Sequence, residues 1–221
     1  MEPKNLQKYI SDHYIFNYIA DSIASSDIQA IAKEQEQCFL DITSFLGVAP
    51  SFKIKYYFLD TPELVGQLFG DNQPCNGFAD FPDEIYAVYN KDIKCVGHHE
   101  DAHIISHIIN EPNSNFIVEG LAMYFDKTWW GEPNAKWVKT FLQNDKYLHI
   151  RQLLDDKIFL SKSDKITYPI AGAFTKYLLE TYGKKLYLEF YKYSGHQIAD
   201  EIERIYKKNI DLLEKEFILS L

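Results

Sequence analysis

Apolar residues alternate with polar ones in parts of the first third of the chain and recur every third or fourth position in the rest. A period of two indicates half-buried strands, and a period near 3.6 indicates amphipathic helices. Short strand-like runs, bounded by Gly, Pro and Asp, occupy residues 13–19, 52–59, 77–81 and 84–89. Between the first two we predict a helix that Asp27 caps and Gly47 ends. Thr61-Pro62-Glu63 is a helix-start signal and predicts a second helix to Phe69.

From Lys94 onward the apolar spacing is helical almost to the end of the chain. Helices are predicted over residues 96–109, 116–129, 136–144, 168–182, 184–193 and 198–221, the last as two helices broken near Asn209. No repeat, low-complexity tract or Gly/Ser linker interrupts the sequence. The pattern therefore predicts one α+β domain over residues 1–221. Residues 1–93 would form a small mixed sheet with helices, and residues 94–221 a mainly helical half.

Composition and charge exclude several classes of function. The net charge of −9 argues against a nucleic-acid partner, which needs clustered Lys and Arg. No stretch approaches the roughly 18 consecutive apolar residues that span a bilayer. Residues 1–11 lack the basic start and apolar run of a signal peptide. We therefore expect a cytoplasmic protein without a membrane span, although an exported protein whose leader had been removed would look the same. The oligomeric state is not indicated.

The three cysteines share no C-x-x-C spacing and cannot all pair within one chain. Neither a disulfide framework nor a thiolate zinc site is therefore predicted. Cys95 lies four residues before His99 and is a conceivable ligand, but we interpret it as a buried structural thiol.

The candidate chemistry lies in the predicted helix 96–109, which contains His99-Glu100-x-x-His103. Residues four apart share one face of a helix, so both imidazoles can bind a single ion. Glu100 is displaced round the helix from His99, close enough to reach a water at that ion. The plain alternative is a buried helix with two hydrogen-bonded histidines.

A catalytic zinc ion takes three protein ligands and leaves a position for water. A metzincin would supply Gly and His where this chain has Ser106 and Ile109, so that class is excluded. A gluzincin takes a Glu from the next helix, and Glu119 follows three apolar residues in helix 116–129. A carboxylate there is costly unless it is paired or binds a metal. The alternative for Glu119 is a helix-start acid near a positive dipole end.

Two further histidines flank the motif. His107 lies four residues after His103 on the same helical face. It could be an accessory ligand, but we prefer to interpret it as a half-buried, hydrogen-bonded residue. His98 points elsewhere and receives no role.

The order of strands and helices, with His99-Glu100-x-x-His103 and Glu119-Gly120-Leu121-Ala122, resembles the peptidase MA-like gluzincins. These are relatives of thermolysin and of the aminopeptidase catalytic domain. The resemblance extends over nearly the whole chain and implies a zincin architecture. It also implies that Tyr168, at the start of its helix, stabilises the oxyanion, and that strand 84–89 is the edge strand that aligns an extended peptide. The chain departs from thermolysin at Met123, where that enzyme has an Asp.

The leading hypothesis is a zinc metallopeptidase that hydrolyses peptide bonds with an activated water. His99, His103 and Glu119 would bind Zn2+, Glu100 would be the general base, and the partner would be a peptide or protein substrate. Two alternatives remain at this point: a zinc amidase acting on a non-peptide substrate, and an inactive zincin-fold module that binds metal and a protein partner. The Trp129-Trp130-Gly131 segment is a candidate lining for a substrate pocket, with core packing as the commoner role of such residues.

Overall fold

The computed structural model describes residues 6–195 and 197–221. The chain forms two compact units that divide between Ile108 and Ile109. The helix that carries the H-E-x-x-H spacing thus belongs to the same unit as the sheet, whereas the sequence pattern grouped it with the helices that follow residue 94.

The first unit contains a five-stranded mixed sheet. Its strands are β1 (Leu6–Ile10), β2 (Tyr14–Ile19), β3 (Ile54–Leu59), β4 (Gly77–Asp80) and β5 (Glu84–Val88). Their order across the sheet is β1-β2-β3-β5-β4. The three central strands run parallel, and each outer strand is antiparallel to its neighbour.

One face of this sheet forms the core of the first unit. Burial in β3 alternates with period two, so that Ile54, Tyr56 and Phe58 are buried and the residues between them are half-buried. Helix α1 (Ile23–Leu46) packs on β2 through an apolar stripe that includes Ile31 and Ile42. The unit also contains helices α2 (Pro62–Phe69) and α3 (His98–His107).

Three sequence-based expectations for this unit are wrong. The first strand, β1, was not predicted; its residues are mostly exposed, and its sequence LQKYI does not alternate between apolar and polar positions. Helix α1 begins after Ser22, whose side chain accepts a hydrogen bond from the Ser25 N–H, and Asp27 lies inside the helix. Strand β5 lies between β3 and β4 in the sheet interior, so the edge on that side is β4 and not strand 84–89.

The second unit is helical apart from one hairpin. Its helices are α4 (Asn115–Asp126), α5 (Asn134–Gln143), α6 (Ile150–Leu153), α7 (Asp156–Ser161), α8 (Asp164–Tyr182), α9 (Lys184–Tyr193), α10 (Ile198–Tyr206) and α11 (Ile210–Ser220). The hairpin joins β6 (Thr128–Trp129) to β7 (Glu132–Pro133). The predicted break near Asn209 is confirmed, since the Asn209 side chain caps α11.

Close packing of α4 on α8 is the main contact of the second unit. A Cβ built on Gly120 would lie 2.5 Å from Thr175 Oγ1 and 3.1 Å from the Ala171 carbonyl oxygen. Glycine at position 120 therefore allows α4 to approach α8 closely. Helix α8 starts at Asp164 and contains Pro169, so Tyr168 lies one turn inside the helix and not at its start, as expected from the sequence.

The predicted α+β class, with a small mixed N-terminal sheet followed by helices, is confirmed. Among the helices of the described residues, none combines the length and apolar character needed to cross a bilayer.

Candidate metal centre

Helix α3 presents His99 and His103 on one face. Their ring centroids are 4.9 Å apart and the ring planes are nearly perpendicular, at 84°. Both residues are half-buried, as ligands of a solvent-accessible ion need to be. The helical spacing thus places the two imidazoles where the sequence predicted.

Gly97 precedes α3 with φ of 123° and ψ of −154°, a backbone conformation that residues with a Cβ rarely adopt. No side chain of α3 caps its own N-terminus. Instead the Gln35 side chain, from α1, forms hydrogen bonds with both backbone groups of Gly97. The Gly97 N–H donates to Gln35 Oε1 at 2.7 Å, and Gln35 Nε2 donates to the Gly97 carbonyl oxygen at 3.0 Å.

Asp101 is fully buried on the side of α3 away from the two histidines. Its carboxylate accepts hydrogen bonds from the Tyr14 hydroxyl, from the Tyr56 hydroxyl at 2.9 Å and from Gln35 Nε2 at 3.0 Å. Burial raises the pKa of Asp101 to about 7, and the hydrogen bonds from Tyr14, Tyr56 and Gln35 oppose that rise. Burial and the charge of Asp101 also raise the pKa of both tyrosines, which therefore remain protonated donors.

Glu119 lies in the second turn of α4 and is half-buried. It belongs to the second unit, whereas His99 and His103 belong to the first. Two imidazole nitrogens from one helix face are donors that zinc accepts, and a catalytic zinc ion takes a third protein ligand and leaves a position for water. The donors of α3 therefore fit a catalytic zinc ion.

Glu100 lies beside the edge strand β4. A Cβ built on Gly77 would lie 3.2 Å from Glu100 Oε1 and 2.8 Å from Cys95 Sγ. The Cys75 thiol donates to the Gly77 carbonyl oxygen at 3.0 Å, and burial raises its pKa. No disulfide joins the three cysteines, all of which lie in the described residues, and Cys95 is half-buried, whereas the sequence analysis expected a buried thiol. The absence of a side chain at position 77 leaves room for the Glu100 carboxylate.

The hydrogen-bond register of β4 fixes which of its backbone groups face outward. The Val88 N–H donates to the Asn76 carbonyl oxygen, so in this antiparallel pair residues 76, 78 and 80 face β5. The N–H and carbonyl groups of Gly77 and Ala79 therefore point away from β5, towards the open edge. Because Gly77 also lies against Glu100, this edge runs past the candidate general base.

Tyr168 is half-buried and surrounded by aromatic residues of the second unit. Its ring centroid lies 5.4 Å from that of Trp129 and 6.1 Å from that of Phe159. Trp129 also accepts a hydrogen bond at its carbonyl oxygen from Trp137 Nε1 at 2.7 Å. Trp130, at the tip of the hairpin, is 70% exposed, so core packing describes Trp129 but not Trp130.

The remaining histidines of α3 have other neighbours. His107 is half-buried and stacks on Phe81, with ring centroids 4.1 Å apart. His98 contacts Asp41 of α1, with Nε2 and Oδ2 3.2 Å apart. These contacts assign neither residue to the candidate metal ligands.

Sequence reasoning did not identify Gln35, Asp101, Tyr14 or Tyr56 as part of the site. One signal was available: Asp101 is an acid on the helix face opposite the two histidines, where a buried helix would carry an apolar residue. Its partners lie on β2, β3 and α1, at sequence separations of 45 to 87 residues. Those separations gave no local pattern.

The chain matches no model of a known protein family, and no curated protein matches it significantly.

Proposed function

We propose that this protein is a zinc metallopeptidase of the gluzincin kind, with His99, His103 and Glu119 as metal ligands and Glu100 as general base. The observation that carries the proposal is the pair of half-buried imidazoles on one face of α3, with ring centroids 4.9 Å apart. The H-E-x-x-H spacing predicts both of these ligands. The third proposed ligand, Glu119, belongs to a helix that follows α3 in the chain, as in the gluzincins that the sequence resembles.

When bound, zinc would polarise the scissile carbonyl and lower the pKa of a water molecule towards about 7. Glu100 accepts a proton from the attacking water and later delivers it to the leaving amine. The glycine at position 77 supports this role, because the lack of a side chain there lets the Glu100 carboxylate lie next to the strand along which a substrate would lie.

The edge strand β4 is the proposed aligning element for an extended peptide. The outward N–H and carbonyl groups of Ala79 can pair with a substrate backbone by β-strand addition. This assignment replaces strand 84–89, which is interior. Main-chain pairing does not distinguish substrate side chains, so the preference for particular side chains would depend on other surfaces of the protein.

Tyr168 is the proposed donor to the oxyanion that forms on the scissile carbonyl. It is supported by its position on α8, the helix that packs on the Glu119 helix α4. Tyr168→Phe removes only the hydroxyl and should lower kcat with little change in KM. An unchanged kcat would assign Tyr168 to aromatic packing with Trp129 and Phe159.

The proposal is tested by a peptide-library cleavage screen on wild type, Glu100→Gln and Glu34→Gln. Glu34 is an exposed acid of α1, so its variant makes the same chemical change away from the site. Wild type should bind about one zinc ion per chain and cleave peptides, with both properties lost to a chelator. Glu100→Gln should retain zinc and lose about 10²–10⁴-fold in kcat/KM, whereas Glu34→Gln should match wild type.

The same screen distinguishes the alternatives. Zinc binding without turnover of any peptide or amide by the wild type would indicate an inactive metal-binding module. Turnover of simple amides without turnover of peptides would indicate a zinc amidase. A wild type that binds no zinc contradicts the proposal altogether.

A further inference from the structure

We infer that Asp101, Tyr14, Tyr56 and Gln35 form a positioning network that fixes the rotation of α3 and so the directions of His99, Glu100 and His103. The inference rests on the proposed function only for its consequence on metal binding. Its structural part, that this network holds α3 in one orientation, can be tested on the metal-free protein.

The angular position of Asp101 on α3 links its contacts to the directions of the two imidazoles. Each residue of an α-helix turns by about 100°, so Asp101 lies about 200° from His99 and from His103. The side chain therefore emerges from the face opposite the candidate ligands. Any rotation of α3 about its axis that moves Asp101 moves the two imidazoles by the same angle.

The hydrogen bonds to the Asp101 carboxylate come from three different directions. Three donors reach the carboxylate, from Tyr14 on β2, Tyr56 on β3 and Gln35 on α1. Hydrogen bonds weaken steeply when their angles change, whereas apolar packing tolerates rotation and sliding. Three donors from three different elements thus define one orientation of the helix.

The position of α3 along its axis is fixed by the same glutamine. Gln35 binds both backbone groups of Gly97, immediately before the helix, and also the carboxylate one turn later. The Tyr56 hydroxyl oxygen also lies 2.8 Å from Gln35 Nε2, so three acceptors share the two hydrogens of this amide. One buried side chain of α1 therefore links the start of α3 to its buried face.

Burying the Asp101 carboxylate has a cost in folding free energy. A buried carboxylate is expensive, and replacing buried charged groups by apolar ones of similar volume is often neutral or stabilising. Asp101 is fully buried and its hydrogen-bond donors are two phenols and an amide. Stability alone would be served at least as well by an apolar residue, so an orienting role accounts better for an acid at this position.

The test compares Asp101→Asn and Tyr56→Phe with Glu36→Gln. Glu36 also anchors α1, but it accepts its hydrogen bonds from Ser11 and His13 and from no member of the network, on which it acts only through its charge near Tyr14. Three quantities are measured for each protein: hydrogen exchange of the α3 amides without metal, zinc affinity by chelator competition, and the visible spectrum of the Co2+ form. The spectrum reports ligand geometry independently of turnover.

Asp101→Asn should speed exchange of the α3 amides by about tenfold relative to Glu36→Gln, as expected for loss of a buried hydrogen bond. Zinc affinity should fall by about 10–100-fold and the Co2+ spectrum should change. Tyr56→Phe, which removes a single donor, should show the same effects at smaller size and decides the matter if Asp101→Asn does not fold.

Exchange, zinc affinity and spectrum that match those of Glu36→Gln would overturn the inference and leave the network a purely stabilising role. A wild type that binds no zinc would contradict the proposed function instead. In that case the exchange data still decide whether the network orients α3.

Discussion

Gly77 of β4 lies directly against Glu100 of α3, so closely that a Cβ at position 77 would come within 3.2 Å of the Glu100 carboxylate oxygen. The same Cβ would meet Cys95 Sγ at 2.8 Å. The glycine at position 77 thus allows the candidate general base to lie directly against the edge strand.

Gly77→Ala should therefore displace Glu100 without removing a metal ligand. The contact at 3.2 Å requires Glu100 to shift by a few tenths of an ångström, so kcat/KM should fall by less than the roughly 10²-fold that a misplacement of about 1 Å produces, with zinc content unchanged. Cys95→Ala alone should be close to neutral, and combined with Gly77→Ala it should recover part of the loss. Full activity in Gly77→Ala would show that Glu100 does not need this space.

Glu119→Ala should weaken zinc binding. Outer partners of metal ligands already contribute about 10–100-fold in affinity, so loss of the ligand should cost more than about 100-fold. Chelator competition measures the effect, with Glu111→Ala, an exposed acid nearby in the sequence, as control. Equal zinc affinity in Glu119→Ala and wild type would assign the third ligand elsewhere.

Ala79→Pro should impair substrate binding and leave the fold intact. Proline removes the outward N–H of Ala79, and edge strands tolerate it where that group does not pair within the sheet. KM for peptides should rise, whereas Ala79→Ser, which keeps the N–H, should behave like wild type. Circular dichroism and zinc content check that the site itself is unaffected, and an unchanged KM would exclude β4 as the aligning strand.

Gly120→Ala should destabilise the second unit. The added methyl group would lie 2.5 Å from Thr175 Oγ1, and overpacking of this kind costs about 1–3 kcal/mol in the free energy of unfolding. Denaturant unfolding measures it, with Gly195→Ala as control because the nearest atom there is 4.0 Å away. Adding Thr175→Ala should recover part of the loss, and no recovery would place the strain at the Ala171 backbone.

Glu36→Gln should lower stability by about 1 kcal/mol at neutral pH, since a half-buried charge-assisted pair is lost. Burial raises the pKa of Glu36, but hydrogen bonds from Ser11 and His13 outweigh it and hold the pKa below its usual value of 4.5. A lowered folded pKa means that the stabilisation is present above about pH 4.5 and is lost as pH falls through the folded value. Unfolding of both proteins between pH 7 and 3 should show the difference shrinking; a constant difference would exclude this ionisation as its cause.

Local patterns in the sequence predicted most of the elements. The helix end at Gly47, the helix start at Thr61 and the break near Asn209 are confirmed, because caps are decided by neighbouring residues. Asp27 was the predicted cap of α1, but Ser22 caps the helix, with an extended backbone and a side chain that accepts from the Ser25 N–H.

Long-range features could not be predicted in this way. Strand order depends on which edges pair, and nothing in residues 84–89 indicates that β4 covers them. The Asp101 network joins residues up to 87 positions apart. The candidate ligands were predictable because His99 and His103 are one helical turn apart and Glu119 is an acid among apolar neighbours.

The three tryptophans of the chain, Trp129, Trp130 and Trp137, all belong to the hairpin and the helix after it, in the second unit. Tyrosine is the fluorophore of the sheet unit, so light absorbed near 295 nm excites the second unit selectively. Tryptophan emission followed during denaturation would therefore report one unit, while far-ultraviolet dichroism reports both. Any difference between the two unfolding transitions would show that the two units of this chain unfold separately.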